Sequence, residues 1–165
     1  MDIGDLLRIA LVGIGATAIV DFWSLIRKPL LGMPLPNYGH VGRWFAYIAR
    51  GQFRHESIAA TPSVPFERLI GWAAHYLIGI AFAVILVWVD GVAWVREPTL
   101  GPALAVGVAT VIFPFFVMQP GMGAGIAANR SPRPPMARIQ SLATHAVFGC
   151  GLFIAARLLD FACPS

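Results

Sequence analysis

TPSVPFERLIGWAAHYLIGIAF, residues 61–82, returns 70 positions later as SPRPPMARIQSLATHAVFGCGL, residues 131–152. Each copy has a proline-rich start, a basic residue and then an apolar run that contains one histidine. The residues that recur at the same offset are Pro62 and Pro132, Pro65 and Pro135, Arg68 and Arg138, Ala73 and Ala143, His75 and His145, and Gly79 and Gly149. The repeat predicts two membrane helices of a duplicated unit, with one histidine at the same depth in each.

The composition indicates a protein that needs lipid around it. Hydrophobic residues make up 58% of the 165 residues and charged residues 12%, against about 25% charged in an average soluble domain. A soluble core of this size cannot hide so much apolar surface. We therefore predict a single transmembrane domain over residues 1–165 with the lipid bilayer as its partner. The net charge is +4, and the arginines that produce it lie between the apolar runs. Basic residues at such positions set the orientation of membrane helices, so we interpret the charge in this way and expect no nucleic-acid partner.

Four apolar stretches approach the ~20 residues that are needed to cross a bilayer. They are residues 6–26, 69–89, 100–118 and 139–161. The predicted fold is all-α: an integral membrane bundle of four transmembrane helices, made of two similar helical hairpins. The first stretch has no basic region before it and contains Asp21, so we expect it to be retained as a span and not cleaved as a signal peptide. If the last helix carries both Cys150 and Cys163, the two residues lie ~20 Å apart, which is too far for a disulfide.

The distribution of lysine and arginine predicts the orientation of the spans. Nine of these residues lie in the first and third connections, and three lie on the opposite side. The positive-inside rule places the first and third connections in the cytoplasm and both termini outside. In the first connection, Val41, Trp44, Phe45 and Ile48 recur at helical spacing, which predicts a short interfacial helix over residues 41–50. A helix packed over the cytoplasmic mouth of the bundle is the alternative.

Four arginines of these two connections are candidates for contact with an anion or a lipid headgroup. They are Arg43 and Arg54 in the first connection, and Arg130 and Arg133 in the third. The third connection also contains Gly121, Gly123 and Gly125. No strand precedes these glycines, so we interpret them as a flexible loop and not as a phosphate-binding fingerprint.

Each predicted span contributes one polar side chain to the cytoplasmic third of the bilayer. The four residues are Asp21, His75, Gln119 and His145; Thr17 lies one turn from Asp21, and Thr144 adjoins His145. Ionisable groups inside a span are costly and usually face a partner in the interior of the bundle. The pattern therefore predicts a polar intramembrane site.

A purely structural role explains the same residues. Polar side chains hold membrane helices together, and small residues allow their backbones to approach. Gly71 and Gly79 flank His75 at intervals of four residues, as Ser141 and Gly149 flank His145. In this alternative the chain is an assembly or accessory subunit whose polar cluster only packs helices. Pro114 is expected to kink the third helix.

Three functional hypotheses stand beside the structural one. The leading hypothesis is a transport-like site for a proton, an ion or a small solute, since histidine titrates near neutral pH and repeats are common in transporters. Four spans are few for a transporter, which favours a homodimer or a larger membrane complex. A second is a metal or haem site with His75, His145 and Asp21 as candidate ligands, although no cofactor is assigned.

An intramembrane enzyme is the third hypothesis, and the sequence disfavours it. Ser141, His145 and Asp21 have the residue types of a catalytic triad. However, Ser141 and His145 lie on one face of one helix, and no nucleophile-elbow context is present. A non-enzymatic protein is therefore the expectation.

The sequence resembles those of a known bacterial family of small membrane proteins, the domain-of-unknown-function family 2938. The resemblance covers nearly the whole chain and implies a polytopic protein of the bacterial inner membrane, but no reaction and no functional residues. In such a membrane, the outside location that the charges predict for both termini is the periplasm. The stretches that carry it are GIGAT (13–17) before Asp21, GRW (42–44), GQFRH (51–55), GWAAHY (71–76), QPGMG (119–123), Ala137-Arg138, Ser141-Leu142, His145 and Phe148-Gly149.

Overall fold

The computed structural model describes residues 2–162, and its regular structure is helical. No strand occurs in this part of the chain, and short 3-10 turns lie at Val92–Val95 and Ile126–Ala128. The helices are α1 (Ile3–Leu31), α2 (Tyr38–Ile48), α3 (Glu67–Asp90), α4 (Leu100–Gly121) and α5 (Pro134–Ala162). Cys163, named above in connection with a disulfide, lies outside the described residues.

Four of the helices, α1, α3, α4 and α5, are long and apolar enough to cross a membrane. The predictions of an all-α chain and of four candidate spans are confirmed. The helices extend beyond the predicted apolar runs, because polar residues continue or cap them. Asp2 accepts a hydrogen bond from the Asp5 N–H at 2.8 Å and starts α1, while Gly32, with φ of 63°, ends it. The pairing into two hairpins stays a prediction.

The described helices divide into two compact units. The first comprises Met1–Leu35, Tyr76–Thr110 and Ala143–Ser165, and the second comprises Pro36–His75 and Val111–Leu142. The predicted single domain over residues 1–165 stays a prediction.

Glycines determine how the helices of the first unit pack. A Cβ at Gly13 would lie 2.6 Å from the Cα of Ile80, so α1 and α3 touch through their backbones. A Cβ at Gly107 of α4 would collide with Gly149 of α5. Close approach of this kind is typical of small residues between membrane helices. Around these contacts lies a core of buried apolar side chains that includes Val12, Ala16, Leu86, Ala103 and Leu152.

A charged contact joins the start of α1 to Arg96, which follows α3. Asp5 is buried, and its carboxylate accepts hydrogen bonds from Nη2 of Arg96 at 2.8 Å and from Nε at 3.1 Å. These bonds raise the pKa of Arg96 above its ordinary value. The pair satisfies a carboxylate that burial alone would destabilise, and it ties the start of α1 to the segment that follows α3.

The second unit is held by Arg43 of α2. Its guanidinium donates to both carboxylate oxygens of Glu67, from Nε at 2.8 Å and from Nη2 at 2.9 Å. Nη1 donates to the carbonyl oxygens of Ile58 at 3.0 Å and Thr61 at 2.7 Å. The hydrogen bonds to Glu67 raise the pKa of Arg43. One buried side chain thus fixes the irregular segment 49–66 between α2 and α3.

The start of α2 also depends on local chemistry. Asn37 caps the helix by accepting a hydrogen bond from the His40 N–H at 3.3 Å. Consequently α2 begins three residues before the predicted segment 41–50. A Cβ at Gly71 would collide with the carbonyl of Tyr38, so the backbones of α2 and α3 touch here. The interfacial location of α2 stays a prediction.

Substitution of Gly107 tests the backbone contact between α4 and α5. Gly107→Ala is expected to destabilise the protein by about 1–3 kcal/mol, because the new methyl group overpacks a closed contact. Gly101→Ala is the matched control in the same helix, since nothing lies within 4 Å of a Cβ there, and it is expected to be neutral or stabilising. Unfolding of the purified protein in mixed micelles measures both. Equal effects of the two substitutions would contradict the packing described.

Substitution of Arg43 tests its role in the second unit. Arg43→Gln is expected to cost about 3 kcal/mol, because it removes the charge partner of Glu67 and the donors to two carbonyls. The control is Arg50→Gln, whose guanidinium is exposed and lies 5.4 Å from the Tyr47 ring; it is expected to cost less than about 0.5 kcal/mol. Limited proteolysis of segment 49–66 gives a local readout beside global unfolding. Unchanged proteolysis in Arg43→Gln would show that this residue does not hold the segment.

Candidate functional site

The carboxylate of Asp21 on α1 is bonded to a phenol on α3. The hydroxyl of Tyr76 donates to Oδ2 of Asp21 at 3.0 Å. One turn earlier on α1, the fully buried Thr17 donates to the carbonyl oxygen of Gly13 at 2.7 Å. A Cβ at Gly79 would collide with the Thr17 hydroxyl, so glycine at position 79 leaves room for this part of α1 beside α3.

The imidazole of His145 on α5 is bonded to α4. Its Nδ1 lies 2.9 Å from the hydroxyl oxygen of Thr110 and 3.3 Å from the carbonyl oxygen of Gly107. The Thr110 hydroxyl donates its own hydrogen to Gly107 at 2.6 Å. Both neighbours of Nδ1 therefore present acceptor oxygens, which indicates that Nδ1 carries the hydrogen. In the neutral ring, Nε2 then holds the lone pair that accepts a proton.

The hydroxyl of Thr110 lies where α4 is interrupted. The α-helical part, Leu100–Ala109, ends at this residue, a turn follows, and the backbone is π-helical over Pro114–Met118. Proline has no N–H to continue the ladder of hydrogen bonds, which explains an interruption one turn before position 114. The helix thus changes its hydrogen-bonding pattern around Pro114, and the kink expected there stays a prediction. Interruptions of this kind inside apolar helices are frequent at functional sites.

The second unit contains two further polar pairs. Nε2 of His75 lies 2.9 Å from the Tyr38 hydroxyl, and the two rings are 4.5 Å apart. The amide nitrogen of Gln119 donates to the hydroxyl of Ser141 at 3.4 Å. Oε1 of Gln119 is buried and has no hydrogen-bond partner among residues 2–162.

The structure gives each member of the predicted site a partner of its own. Asp21 and His145 belong to the first unit, as do Thr17 and Thr144, which is half-buried beside His145; His75 and Gln119 belong to the second. Asp21 is bonded to Tyr76 and His145 to Thr110. His75 is bonded to Tyr38 and Gln119 to Ser141. A single four-membered site thus stays a prediction. In the part of the chain that the structure describes, no group of three or more His, Cys, Asp or Glu side chains is arranged to hold a metal ion.

The predicted small residues contact different elements. Gly71 meets α2, Gly79 meets α1 and Gly149 meets α4, whereas Ser141 makes a polar contact with Gln119. The two glycines of α3 therefore contact two different helices, Gly71 contacting α2 and Gly79 contacting α1.

The arginines named as anion contacts have unequal surroundings. Arg43 is buried and its guanidinium is used within the second unit, as described above. Arg133 is exposed. Arg54 and Arg130 line a cleft of the second unit.

Sequence reasoning missed the hydroxyl partners of the ionisable residues. The available signal was the phenol of Tyr76, since a tyrosine inside an apolar run usually finds a hydrogen-bond partner when it is buried. Thr110, four residues before Pro114, carried a similar signal. Its hydroxyl lies next to the backbone that the proline disrupts.

Comparison with known proteins gives one match. A family model described as "Protein of unknown function (DUF2938)" matches residues 10–159. The resemblance drawn from the sequence is confirmed. No curated protein and no solved structure matches the chain.

Substitution of Tyr76 tests the pair that it forms with Asp21. Tyr76→Phe is expected to cost about 0.5–1.5 kcal/mol, because it removes a donor to a partly buried carboxylate. Tyr47→Phe is the control, since its hydroxyl donates at 3.2 Å to the carbonyl oxygen of Pro62 in an exposed contact, and a smaller cost is expected. The measurement is unfolding in mixed micelles. A loss for Tyr76→Phe no larger than for Tyr47→Phe would argue against the pair.

Proposed function

We propose that this chain, which belongs to the DUF2938 family of proteins of unknown function, is a multi-pass membrane protein that binds a proton, an ion or a small solute among the polar side chains of its spans. A proton is the ligand that the residues favour. The role is transport-like and non-enzymatic, and it uses the titratable groups Asp21 and His145 of the first unit.

The observation that carries this proposal is the setting of His145 at the interruption of α4. The contacts of Nδ1 with Thr110 and with the Gly107 carbonyl support a fixed tautomer in which Nε2 is the basic nitrogen. Protonation there makes an imidazolium whose Nδ1–H keeps its two acceptors. The ring therefore gains and loses a proton without rearranging the contact that holds it. Broken helices that supply backbone carbonyls to an ion are typical of transporter sites.

The second titratable group is Asp21. Its hydrogen bond from the Tyr76 phenol orients the carboxylate in a span, where an ionisable group is by default a functional candidate. A phenol both donates and accepts, so Tyr76 is suited to stay bonded whether Asp21 is ionised or protonated. His75 and Gln119 remain in the proposal as polar positions of the spans, each with its own partner.

The orientation of the protein follows from the charge distribution. Nine of the twelve lysines and arginines lie in the first and third connections, which we therefore place in the cytoplasm, with both termini on the opposite side. The resemblance to the family supports the bacterial inner membrane as the location, so the termini are in the periplasm. Four spans are few for an independent transporter, so a homodimer or a larger membrane complex is the proposed assembly. Reporter fusions at Gly91 and Gly125 check the orientation and are expected to report opposite sides.

The experiment that tests the function is proton flux in liposomes. The purified protein is reconstituted around a pH-sensitive dye, and an imposed pH gradient is followed in the presence of a potassium ionophore. The wild type is expected to collapse the gradient faster than empty liposomes. His145→Gln and Asp21→Asn are expected to lower the rate of proton flux about tenfold or more. Each substitution removes a group proposed to carry the proton, and loss of a positioned acid or base typically lowers a rate by at least that factor.

The matched control is His40→Gln, a histidine on α2 outside the four long helices, which is expected to keep the wild-type rate. A wild-type rate equal to that of empty liposomes would contradict proton transport. Flux that survives both His145→Gln and Asp21→Asn would show that protons pass elsewhere.

A structural role is the second candidate function. The observation that favours it is the backbone contact of Gly107 with Gly149 beside the bond of His145 to Thr110, because tight packing and one polar bond together hold two helices. In that case the chain is an assembly or accessory subunit. His145→Gln would then lower stability, while the wild type would move no protons.

A further inference from the structure

The second unit contains a cleft that is not lined by any of the polar pairs described above. Its volume is about 410 Å³. Its walls come from two segments of the chain, one that follows α2 and one that follows α4. The residues that matter for its chemistry are Arg54, His55 and Glu56 from the first segment, and Ile126, Asn129 and Arg130 from the second.

Backbone hydrogen bonds fix the two walls against each other. The N–H of His55 donates to the carbonyl of Gly121 at 2.9 Å, and the N–H of Ile58 donates to the carbonyl of Met122 at 3.0 Å. Gly125, with φ of 75°, turns the second segment, and a Cβ there would collide with the side chain of Asn129. The cleft is therefore a built feature of the fold.

The charge of the cleft is positive. Arg54 and Arg130 contribute two guanidinium groups, and Glu56 contributes the one carboxylate among the residues that line the cleft. Over residues 2–162, neither arginine has a carboxylate within ion-pair distance. Asn129 adds an amide donor. Two guanidinium groups without an ion-pair partner, beside an amide, match the needs of a tetrahedral anion with several acceptor oxygens.

One wall contains a polar group that the protein does not satisfy. The side chain of His55 is more than nine-tenths buried. Its Nδ1 lies 3.1 Å from the hydroxyl oxygen of Thr61, while Nε2 is buried and has no hydrogen-bond partner within residues 2–162. A buried polar atom without a partner is unusual in a native protein and calls for an explanation such as a missing ligand or water.

We propose that this cleft binds a phosphate group, either that of an anionic lipid headgroup or free inorganic phosphate. Arg54 and Arg130 neutralise the charge, Asn129 donates to one oxygen, and His55 lies in the wall behind them. Exposed apolar side chains stand next to the basic groups, since Phe53 is 62% and Ile126 54% exposed. Cationic and apolar groups side by side suit a surface at the edge of a bilayer. This proposal is independent of the proton site, which uses other residues in the first unit.

Binding is tested with the full chain, purified in detergent, against three probes. The probes are inorganic phosphate, dioleoyl phosphatidylglycerol in detergent micelles, and dioleoyl phosphatidylcholine as the zwitterionic reference. Native mass spectrometry counts bound lipids, and calorimetry measures phosphate. The wild type is expected to bind phosphatidylglycerol in preference to phosphatidylcholine, or to bind free phosphate; the two results identify the source of the phosphate group.

Charge-matched variants separate the cleft from general attraction to basic protein. Arg54→Gln/Arg130→Gln is expected to weaken binding roughly tenfold or more, since each arginine near an anionic headgroup contributes a several-fold gain. Arg50→Gln/Arg68→Gln removes two exposed arginines, one after α2 and one at the start of α3, that do not line the cleft, and it is expected to bind as the wild type does. Glu56→Gln removes the opposing carboxylate and is expected to strengthen binding, a gain that loss of folding cannot mimic.

Three results would overturn the proposal. These are an equal loss in both double variants, no strengthening by Glu56→Gln, and no binding of phosphate or phosphatidylglycerol to the wild type. The melting temperature of each variant without ligand is measured alongside. If the double variant fails to fold, Arg54→Gln and Arg130→Gln singly, each expected to bind several-fold more weakly, decide the question together with Glu56→Gln.

Discussion

A polar group inside an apolar helix must find its partner within the protein, because hydrocarbon offers none. Two titratable side chains of the first unit meet this constraint through pairs that join different helices. Asp21 of α1 accepts a hydrogen bond from the Tyr76 hydroxyl on α3, and His145 of α5 is hydrogen-bonded to Thr110 of α4. In each pair a titratable group meets a hydroxyl, which remains a partner in either protonation state. The same bonds that join the helices are therefore compatible with a change of protonation at the titratable groups.

Small residues make these pairs possible. Gly79 lets the Thr17 turn of α1 approach α3, and Gly107 lets α4 approach α5 at Gly149. Larger side chains would separate the helices and move a short hydroxyl such as Thr110 out of reach of its imidazole. Packing and polar chemistry are thus one arrangement in this unit. A flux measurement and a stability measurement on the same variants are both needed to separate the two functions.

The second unit solves a different problem, because its connections are irregular. A buried arginine, Arg43, donates to Glu67 and to the carbonyls of Ile58 and Thr61. The carbonyls of Gly121 and Met122 accept from the backbone N–H groups of His55 and Ile58. These bonds order the segments that form the basic cleft. Within residues 2–162 the guanidinium groups of Arg54 and Arg130 have no ion-pair partner, and this supports the proposal of an anion in the cleft.

Much of this fold was predictable from the sequence, and most of the site was not. Apolar length alone located four helices, and the periodicity of Trp44 and Ile48 located α2 to within a few residues. The ends were missed because Asp2 and Asn37 extend helices by capping, which apolar length does not report. The ionisable residues were found because they are rare in spans. Their partners were not, because tertiary packing decides which hydroxyl each one meets. Tyr76 in an apolar run and Thr110 before Pro114 were signals of a polar contact, but not of the residue at its other end.

The measurement that tests the central claim most directly is the ¹⁵N spectrum of the histidine side chains in lipid bilayers as a function of pH, with His145→Gln to assign the signal of His145. The account predicts a neutral ring protonated on Nδ1 at high pH, and a second proton on Nε2 as the pH falls, with the bond from Nδ1 retained. A neutral ring protonated on Nε2, or a His145 signal that does not change with pH, would contradict it.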